Sequence, residues 1–544
     1  MKRNPSIVFF VILILILIFS AYRFYHSFSV GQLNREIPAK SADTLIVITN
    51  PDPGKLWPYT IQLADDIFYI NQIFQGLIRL NSQLIPIPDL ARFWEISSDR
   101  RTYTFYLDST RYFHNGQIVT AYDVAASFHY FFKHYSQSYN FPYFKMIEGV
   151  DAFLNGQADS VRGIVVVDSF TIQIRLRQPF SSFLPMLALP EMKILPASVL
   201  KDSMDTQHLP LIGSGRYRVK SLSDTALVLE AFPWNPEQQT PPYIKTIYFP
   251  LGNAQMQYVD SLNFDVNIFY YYPQDWAKDI FTILEQPSLG VFFLGFNCQR
   301  FPSNDINYRK AVAFALNRHA IVDSTYGTGQ YLRHFTPFYY PHDGKFAEIP
   351  DYNPDSAHFY LQRFIQVHGM VPPVVLMGDS TLVDTTLFQL IASDLRKMGI
   401  PVKILMYAGM SAEQEIDYLK THAHLFLWGW SQDLPDPLFY FDVFLRSTQQ
   451  MNLWQFKSLR VDALLDSAMY AMNTRKRNYY YTLLENIVAR ELPFLPVYSL
   501  RERIYLKKYI KGVELTPMGI SQLDLSLIWK DPKMRRDYYV IIKQ

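Results

Sequence analysis

Cysteine is almost absent from this 544-residue sequence. Cys298 is the single cysteine, so an intramolecular disulfide is excluded. No cysteine directly follows the N-terminal hydrophobic segment, which excludes a lipoprotein anchor. The charge excess is equally small, at +2 from 51 basic and 49 acidic residues. Because a nucleic-acid-binding surface needs a basic face, we expect no nucleic-acid partner.

The motifs that mark common enzyme classes are also missing. The sequence has no Gly-x-Ser-x-Gly elbow, no His-Glu-x-x-His and no phosphate-binding loop. Its 12 histidines are scattered. Asp433 and Asp436 are a pair of carboxylates, but they flank Pro435 in a turn and only weakly indicate a glycosidase. We therefore predict no catalytic residues, no metal site and no cofactor, and the protein is not expected to be an enzyme.

What is abundant is apolar and aromatic side chains, at 49% and 16% of the residues. A single core rarely grows beyond about 250–300 residues, so two or more lobes are expected. Strand and helix patterns alternate. Residues 171–176 alternate as a strand, 387–398 read as a helix that ends at Gly399, and 402–406 read as the following strand. This alternation predicts the α/β class.

The N-terminus carries an apolar stretch at residues 5–22. A cleaved signal peptide and a membrane-spanning anchor are the two interpretations. No Ala-x-Ala site follows the stretch, and Arg23 with its flanking tyrosines suits a membrane interface. We favour an uncleaved anchor. Lys2 and Arg3 then predict a cytoplasmic N-terminus, with residues 1–43 forming the anchor and a linker.

Residues 67–132 are the most informative block. The pattern predicts a helix leading to Gly76 and a half-buried strand at 102–107. Asn115-Gly116 predicts a tight hairpin turn with positive φ angles. Thr120 predicts the N-cap of the next helix.

In order and spacing, this block resembles the start of the family 5 extracytoplasmic solute-binding proteins, the peptide receptors of ABC importers. The resemblance extends over nearly all of residues 43–530. Local turns depart from it, as at Asp99-Arg100-Arg101 in place of Asp-Gly. Four further segments carry it: Gly213-Ser214-Gly215-Arg216-Tyr217, with arginine where proline is common; the helix at 307–318; Trp428-Gly429-Trp430 through Asp436-Pro437; and Pro493 through Tyr498.

The resemblance implies a bilobal periplasmic-binding-protein-like fold, of the large three-domain type II variety. Lobe I would take residues 44–88, 212–292 and 503–544, lobe II 89–211 and lobe III 293–502. Hinges are then expected near residues 88, 211, 292 and 502.

The implied function is extracytoplasmic capture of peptides, or other small solutes, for the permease subunits of an ABC importer. A monomer is expected, anchored on the outer face of the cytoplasmic membrane. The alternative is a membrane-anchored sensor or scavenger of peptides or oligosaccharides without its own importer.

Asp433 is the first candidate site residue. It follows Trp428-Gly429-Trp430, the end of a predicted strand to whose edge an extended peptide can add. By position it matches the family aspartate that pairs with the peptide's α-ammonium group. The alternative is that Asp433 only stabilises a turn before Pro435.

The resemblance also implies a ligand-facing segment in lobe I. Its residues are Asn71, Gln72, Phe74, Gln75 and Gly76, and plain packing is the alternative for each. Dipeptide-type relatives hold the ligand's carboxylate with an arginine, but residues 378–386 contain none. The sequence leaves open whether Arg446 or Arg333 substitutes, and it predicts no tight dipeptide clamp.

Overall fold

The structure is a computed structural model. It describes residues 43–50, 52, 56–61, 64–136, 138, 140–200, 211–232, 242–272, 274–325, 329–337, 347–380 and 385–532. No helix within these ranges has the length and apolar character needed to cross a membrane. The predicted anchor at residues 5–22 lies outside them.

The described strands are numbered in chain order. They are β1 Thr44–Ile48, β2 Ile78–Leu80, β3 Pro86–Pro88, β4 Ala91–Ile96, β5 Thr102–Leu107, β6 Ile164–Asp168, β7 Thr171–Arg175, β8 Tyr217–Ser223, β9 Ala226–Ala231, β10 Thr246–Pro250, β11 Val266–Asn267, β12 Phe281–Phe296, β13 Gly329–Gln330, β14 Val374–Asp379, β15 Val402–Tyr407, β16 Leu425–Trp430, β17 Phe494–Lys507, β18 Ile510–Lys511 and β19 Trp529–Lys530.

The α-helices are numbered in the same way. They are α1 Ala64–Ile73, α2 Ala121–His134, α3 Phe141–Phe144, α4 Val150–Leu154, α5 Phe183–Met186, α6 Ala254–Asp260, α7 Gln274–Ile280, α8 Ile306–Ala315, α9 Arg318–Asp323, α10 Pro354–His368, α11 Thr385–Lys397, α12 Ala412–His422, α13 Pro437–Leu445, α14 Leu459–Met469 and α15 Thr474–Glu491. Short 3-10 turns lie at Pro190–Met192, Ala197–Val199, Ile520–Gln522 and Leu525–Leu527.

One large sheet runs through the described molecule in the order β15-β14-β16-β12-β17-β11-β1-β10-β9-β8, with β13 beside β17. β14 pairs in parallel with β15 and β16, whereas β12 and β17 are antiparallel. A separate antiparallel sheet has the order β4-β5-β7-β6. Strands mixed with helices confirm the α/β class.

The long strands β12 and β17 connect the two halves of the large sheet. Their pairing starts at Phe281 opposite Lys507 and ends at Gly295 opposite Phe494. The register shifts between Pro287 and Val291. Such an irregularity locally interrupts the ladder and bends the strand. The two halves of the large sheet are therefore joined by β12 and β17, and the hydrogen-bond ladder between these two strands is interrupted.

Most local predictions match the structure. The predicted strand at 102–107 is β5, whose side chains alternate between half-buried and buried. Thr120 precedes α2, and its backbone N–H donates to the Asp123 carboxylate over 2.9 Å. The helix predicted at 387–398 is α11, and Gly399 follows it with φ +82°.

Two local predictions are wrong. The helix expected across residues 307–318 is divided, because Leu316 is extended and the Asn317 side chain starts a new helix by accepting from the Ala320 N–H at 3.1 Å. At the predicted hairpin only Gly116 has a positive φ, +84°, so the turn is not the expected type. The Asn115 side chain instead accepts from the Gln117 N–H, an alternative turn that asparagine readily adopts.

Candidate functional site

A cavity with polar and charged walls opens at the C-terminal end of α1. Four of the predicted ligand-facing residues line it, whereas Gly76 does not; they are Asn71, Gln72, Phe74 and Gln75. The C-terminal segment forms another wall. The lining residues are Asn71, Gln72, Phe74, Gln75, Arg79, Leu80, Asp89, Ala188, Lys193, Gly215, Arg216, Gln522, Leu523 and Asp524.

The amides of Asn71 and Gln72 fix the C-terminal segment against α1. Asn71 Nδ2 donates to the Ser521 carbonyl at 2.6 Å. Gln72 Nε2 donates to the Leu523 carbonyl at 2.9 Å, and its Oε1 accepts from the Leu525 N–H at 3.1 Å. These donors are used within the protein, so their first role is to hold the cavity wall in place.

Phe74 and Gly76 are packing residues in this structure. Phe74 is buried, with its ring edge-on to Trp57 at 6.5 Å between centroids. Backbone atoms approach Gly76 closely. A Cβ there would lie 3.3 Å from the Met192 carbonyl oxygen and 3.4 Å from that of Leu187. The approach is therefore to the protein's own backbone.

A glycine turn packs directly on the end of α1. A Cβ on Gly213 would lie 2.0 Å from the Ile73 carbonyl oxygen, and one on Gly215 would lie 2.4 Å from that of Gln72. Neither position has room for a side chain. Because the turn is fixed in this way, the next residue, Arg216, is brought to the cavity.

Charged groups of both signs surround the cavity. Both oxygens of Asp89 are occupied, since Gln75 Nε2 donates to one and the Gly76 N–H donates to the other at 3.1 Å. Burial raises the pKa of Asp89, and nearby Lys193 opposes this. Burial lowers the pKa of Lys193 to about 8. The Lys193 ammonium group and the Asp89 carboxylate therefore attract each other through their charges, without a direct hydrogen bond between them.

The second predicted region lies at the end of β16. The expectation that this strand is an edge is wrong for its first half, because Leu425 and Phe426 pair with both β12 and β14. In the described chain, the ladder partners of Trp428, Gly429 and Trp430 lie in β12 alone. The half-strand nearest Asp433 thus presents one side away from β12.

The side chains of this half-strand belong to an aromatic cluster. The Trp428 and Trp430 rings are edge-on at 6.4 Å, and Trp430 also meets Phe444 at 5.7 Å. A Cβ on Gly429 would lie 3.0 Å from the Phe292 ring. Both tryptophans are half-buried, so part of each side chain remains exposed.

Asp433 lies three residues beyond β16 and is half-buried. It accepts one hydrogen bond from the described residues, from Asn140 Nδ2 at 3.4 Å. Burial raises the pKa of Asp433 to about 7. Glu191 lies near Asn140, and burial raises the pKa of Glu191 while Asn140 opposes this rise. A cation arriving beside Asp433 would therefore stabilise its ionised form.

Asp436 has a different environment. Its carboxylate accepts from the Tyr481 hydroxyl at 2.7 Å, from the Ser182 hydroxyl, and from the Leu438 N–H at 3.0 Å as the N-cap of α13. Asp436 therefore stabilises the local backbone at the start of α13. Asp436 thus accepts three hydrogen bonds within the protein, whereas Asp433 accepts one from the described residues.

Arg446 does not supply the missing carboxylate clamp. Its guanidinium forms ion pairs with Asp442 at 2.6 Å and Asp466 at 3.0 Å. Arg333 is exposed.

Asn140, Glu191 and Lys193 are among the residues of the region that were missed from the sequence. Glu191 and Lys193 flank Met192 in the otherwise apolar run Leu189-Pro190-Glu191-Met192-Lys193-Ile194-Leu195. Isolated charges in such a run are the available signal, because buried charges are rare unless they have a role. Asn140 carries no comparable signal.

The chain matches the family model for bacterial extracellular solute-binding proteins, family 5, over residues 86–452. It is 25% identical to the peptide transport periplasmic protein SapA of Salmonella typhimurium, covering 90% of this chain and 89% of that protein. It is 24% identical to the periplasmic murein peptide-binding protein MppA of Escherichia coli, covering 85% and 88% respectively.

Solved structures share the fold. The substrate-binding domain of an oligopeptide ABC transporter from Bacillus anthracis superposes with a TM-score of 0.76 at 17% identity, covering 90% of this chain and 99% of that one. DppA from Helicobacter pylori, in complex with the peptide STSA, superposes with a TM-score of 0.73 at 18% identity, covering 90% and 98%. The α/β periplasmic-binding-protein-like fold is thereby confirmed, and the chain belongs to the bacterial extracellular solute-binding proteins, family 5.

Proposed function

We propose that this protein captures peptides outside the cytoplasmic membrane and delivers them to the permease of an ABC importer. The observation that carries the proposal is the Asp433 carboxylate. It lies beyond the half-exposed end of β16, it accepts a single amide hydrogen bond from the described residues, and its pKa is raised to about 7. That environment suits a cationic ligand group.

The peptide's α-ammonium group is the cation we assign to Asp433. An ammonium group supplies three hydrogen-bond donors, and its positive charge stabilises a desolvated carboxylate that has no cationic partner. The uncovered side of Trp428-Gly429-Trp430 provides backbone groups to which an extended peptide can add. The half-buried tryptophan rings offer apolar contact to its side chains.

We propose the lobes at the boundaries implied by the resemblance: lobe I at 44–88, 212–292 and 503–544, lobe II at 89–211, and lobe III at 293–502. The irregular ladder of β12 and β17 then lies between lobes I and III and supports a hinge there. Closure on a ligand shifts an open–closed equilibrium that exists without it.

A peptide screen by thermal shift tests the function. Di-, tri- and pentapeptides are compared, and binding at 100 times Kd adds about 2.7 kcal/mol to the free energy of unfolding. Arg446 is already paired with two aspartates, so we do not expect it to hold the carboxylate of a short peptide. Longer peptides should therefore bind at least as well as dipeptides. If none of the peptides raises the melting temperature, the proposal of peptide capture is wrong.

We also propose that residues 5–22 anchor a monomeric protein in the cytoplasmic membrane, with the lobes outside. The support is the apolar stretch without a cleavage site, followed by Arg23. Membrane fractionation with N-terminal sequencing tests this. A mature N-terminus between about residues 20 and 40 would contradict the anchor.

A further inference from the structure

Lys193 is a buried ammonium group without a hydrogen-bond partner among the described residues. Its side chain lines the cavity at the end of α1, and the residue is 4% exposed. The neighbouring Asp89 carboxylate accepts from Gln75 Nε2 and from the Gly76 N–H, and among the described residues it makes no hydrogen bond with Lys193. A buried ammonium normally has acceptors, because leaving it without them costs several kcal/mol. The cavity therefore contains an unmet demand for an acceptor.

The charge balance around the cavity favours an anion. Three cations, Arg79, Lys193 and Arg216, line it, against two carboxylates, Asp89 and Asp524. Arg79 is exposed and makes no hydrogen bond with the described residues. Among the described lining residues the cations outnumber the carboxylates, so the local electrostatics favour an incoming anion.

Arg216 directly follows a glycine turn that packs on the end of α1. Gly213 and Gly215 contact the backbone of α1, so the backbone that leads into Arg216 is held against the helix. Arg216 lines the cavity, and the planar fork of a guanidinium suits a carboxylate.

We propose that this cavity is a carboxylate-binding site, with Lys193 as the buried anchor and Arg79 and Arg216 at its walls. The carboxylate belongs either to the captured ligand or to a separate small acid. In the first case the inference rests on the proposed function. The two regions are close to each other, since Asn140 donates to Asp433 and also lies near Glu191, which is two residues from Lys193.

The test is a thermal-unfolding titration of the full chain with succinate, at constant ionic strength maintained with sodium chloride. We expect a saturable rise in melting temperature. Succinamide is the neutral counterpart. It is needed because the buried Gln75 Oε1 has no partner among the described residues and can accept hydrogen bonds from an amide.

Lys193→Met should abolish the succinate response, because methionine matches the length of the side chain without its charge. Arg79→Gln should reduce the response several-fold, and its exposed position makes it a safe second variant if Lys193→Met does not fold. Lys220→Met, at an exposed position on β8, is the matched control and should respond like the wild type. Equal responses of the wild type and the folded cavity variants would overturn the site. So would an equal response to succinamide, or no response at all.

Peptide arms identify the source of the carboxylate. Ala-Ala-Ala is compared with its C-terminal amide, and Ala-Glu-Ala with Ala-Gln-Ala, in the wild type and Arg79→Gln. A preference for the charged member of either pair that weakens in the variant assigns the carboxylate to the ligand. If no peptide binds but succinate responds through Lys193, the site stands, its carboxylate is that of a separate acid, and peptide capture is wrong.

Discussion

Asn140 donates a hydrogen bond over 3.4 Å to the carboxylate of Asp433, 293 positions later in the chain. Asn140 precedes α3, in the region of the small sheet, whereas Asp433 follows β16 of the large sheet. Neighbouring contacts join the same two regions, since the Tyr143 hydroxyl donates to Asp442 at 2.8 Å and Ser182 donates to Asp436. The carboxylate assigned to the ligand is thus at an interface between two parts of the fold, which explains its desolvation.

Peptide binding should depend on pH through Asp433. Burial raises its pKa to about 7, so below that pH most molecules carry a neutral group that cannot pair with an ammonium. We expect affinity for a free peptide to rise by up to tenfold per pH unit between pH 5 and 7. It should fall again above about pH 8, as the peptide's own amine deprotonates. Calorimetry from pH 5 to 9 measures the profile, and a flat profile up to pH 7 would argue against Asp433.

The interface should influence binding without touching the ligand. Tyr143→Phe removes the hydroxyl that donates to Asp442, at a cost of about 1 kcal/mol to the interface. If this interface forms on closure, the binding-competent population falls, and the apparent Kd should rise by about fivefold. The dissociation rate of a bound peptide checks this. Tyr122→Phe, an exposed tyrosine on α2, is the control, and identical Kd values would show that the interface is independent of closure.

Stability should also carry a signature of a buried acid. Glu485 is fully buried and accepts from the Phe335 and Thr336 N–H groups, both at 3.1 Å, and burial raises its pKa to about 7. In the unfolded chain its pKa is about 4.3. The folded state therefore binds the proton more tightly, and the stability this gives is complete below about pH 4.3 and lost as the pH rises through 7.

Glu485→Gln should flatten that loss. The contribution is on the order of 1–3 kcal/mol, measured by urea unfolding at several pH values between 4.5 and 7.5. Glu413→Gln, at an exposed position on α12, should keep the wild-type slope. Parallel curves for the wild type and Glu485→Gln would contradict the prediction.

The glycine turn beside α1 should tolerate no side chain. Gly213→Ala places a Cβ 2.0 Å from a backbone oxygen, so the backbone must move and we expect a loss of more than about 3 kcal/mol. Gly369 has φ +81°, but a Cβ there would have no atom of the described residues within 4 Å. Gly369→Ala should therefore cost only about 1 kcal/mol. Equal losses in urea unfolding would mean that the turn can shift.

The sequence predicted the fold well where the pattern is local. Residues close together in the chain are enough to predict the alternation of β5. The same holds for the apolar face of α11 and the glycine that follows it. The division at Leu316 was missed because Asn317 reads equally well as a helix interior or as a cap. The interior position of β16 depends on its pairing with β14, about 50 residues earlier, which no local pattern reveals.

The candidate site was predicted only in part. Asp433 and the end of α1 were found through the resemblance, which carries position along the chain. Lys193 and Asn140 were not, because their importance comes from what folds around them. The isolated lysine in an apolar run is a signal of burial, but its place in the cavity beside Asp89 is known only from the structure.

The central claim is that Asp433 receives the α-ammonium group of a peptide. The most direct measurement is calorimetry of Ala-Ala-Ala and N-acetyl-Ala-Ala-Ala with the wild type, Asp433→Asn and the exposed control Asp417→Asn. We predict that the wild type and the control bind the free peptide at least 100-fold more tightly than the acetylated one, and that Asp433→Asn loses this preference, since pairing a desolvated charge is worth several kcal/mol. Equal affinity of the wild type for both peptides, or an unchanged preference in Asp433→Asn, would contradict the account.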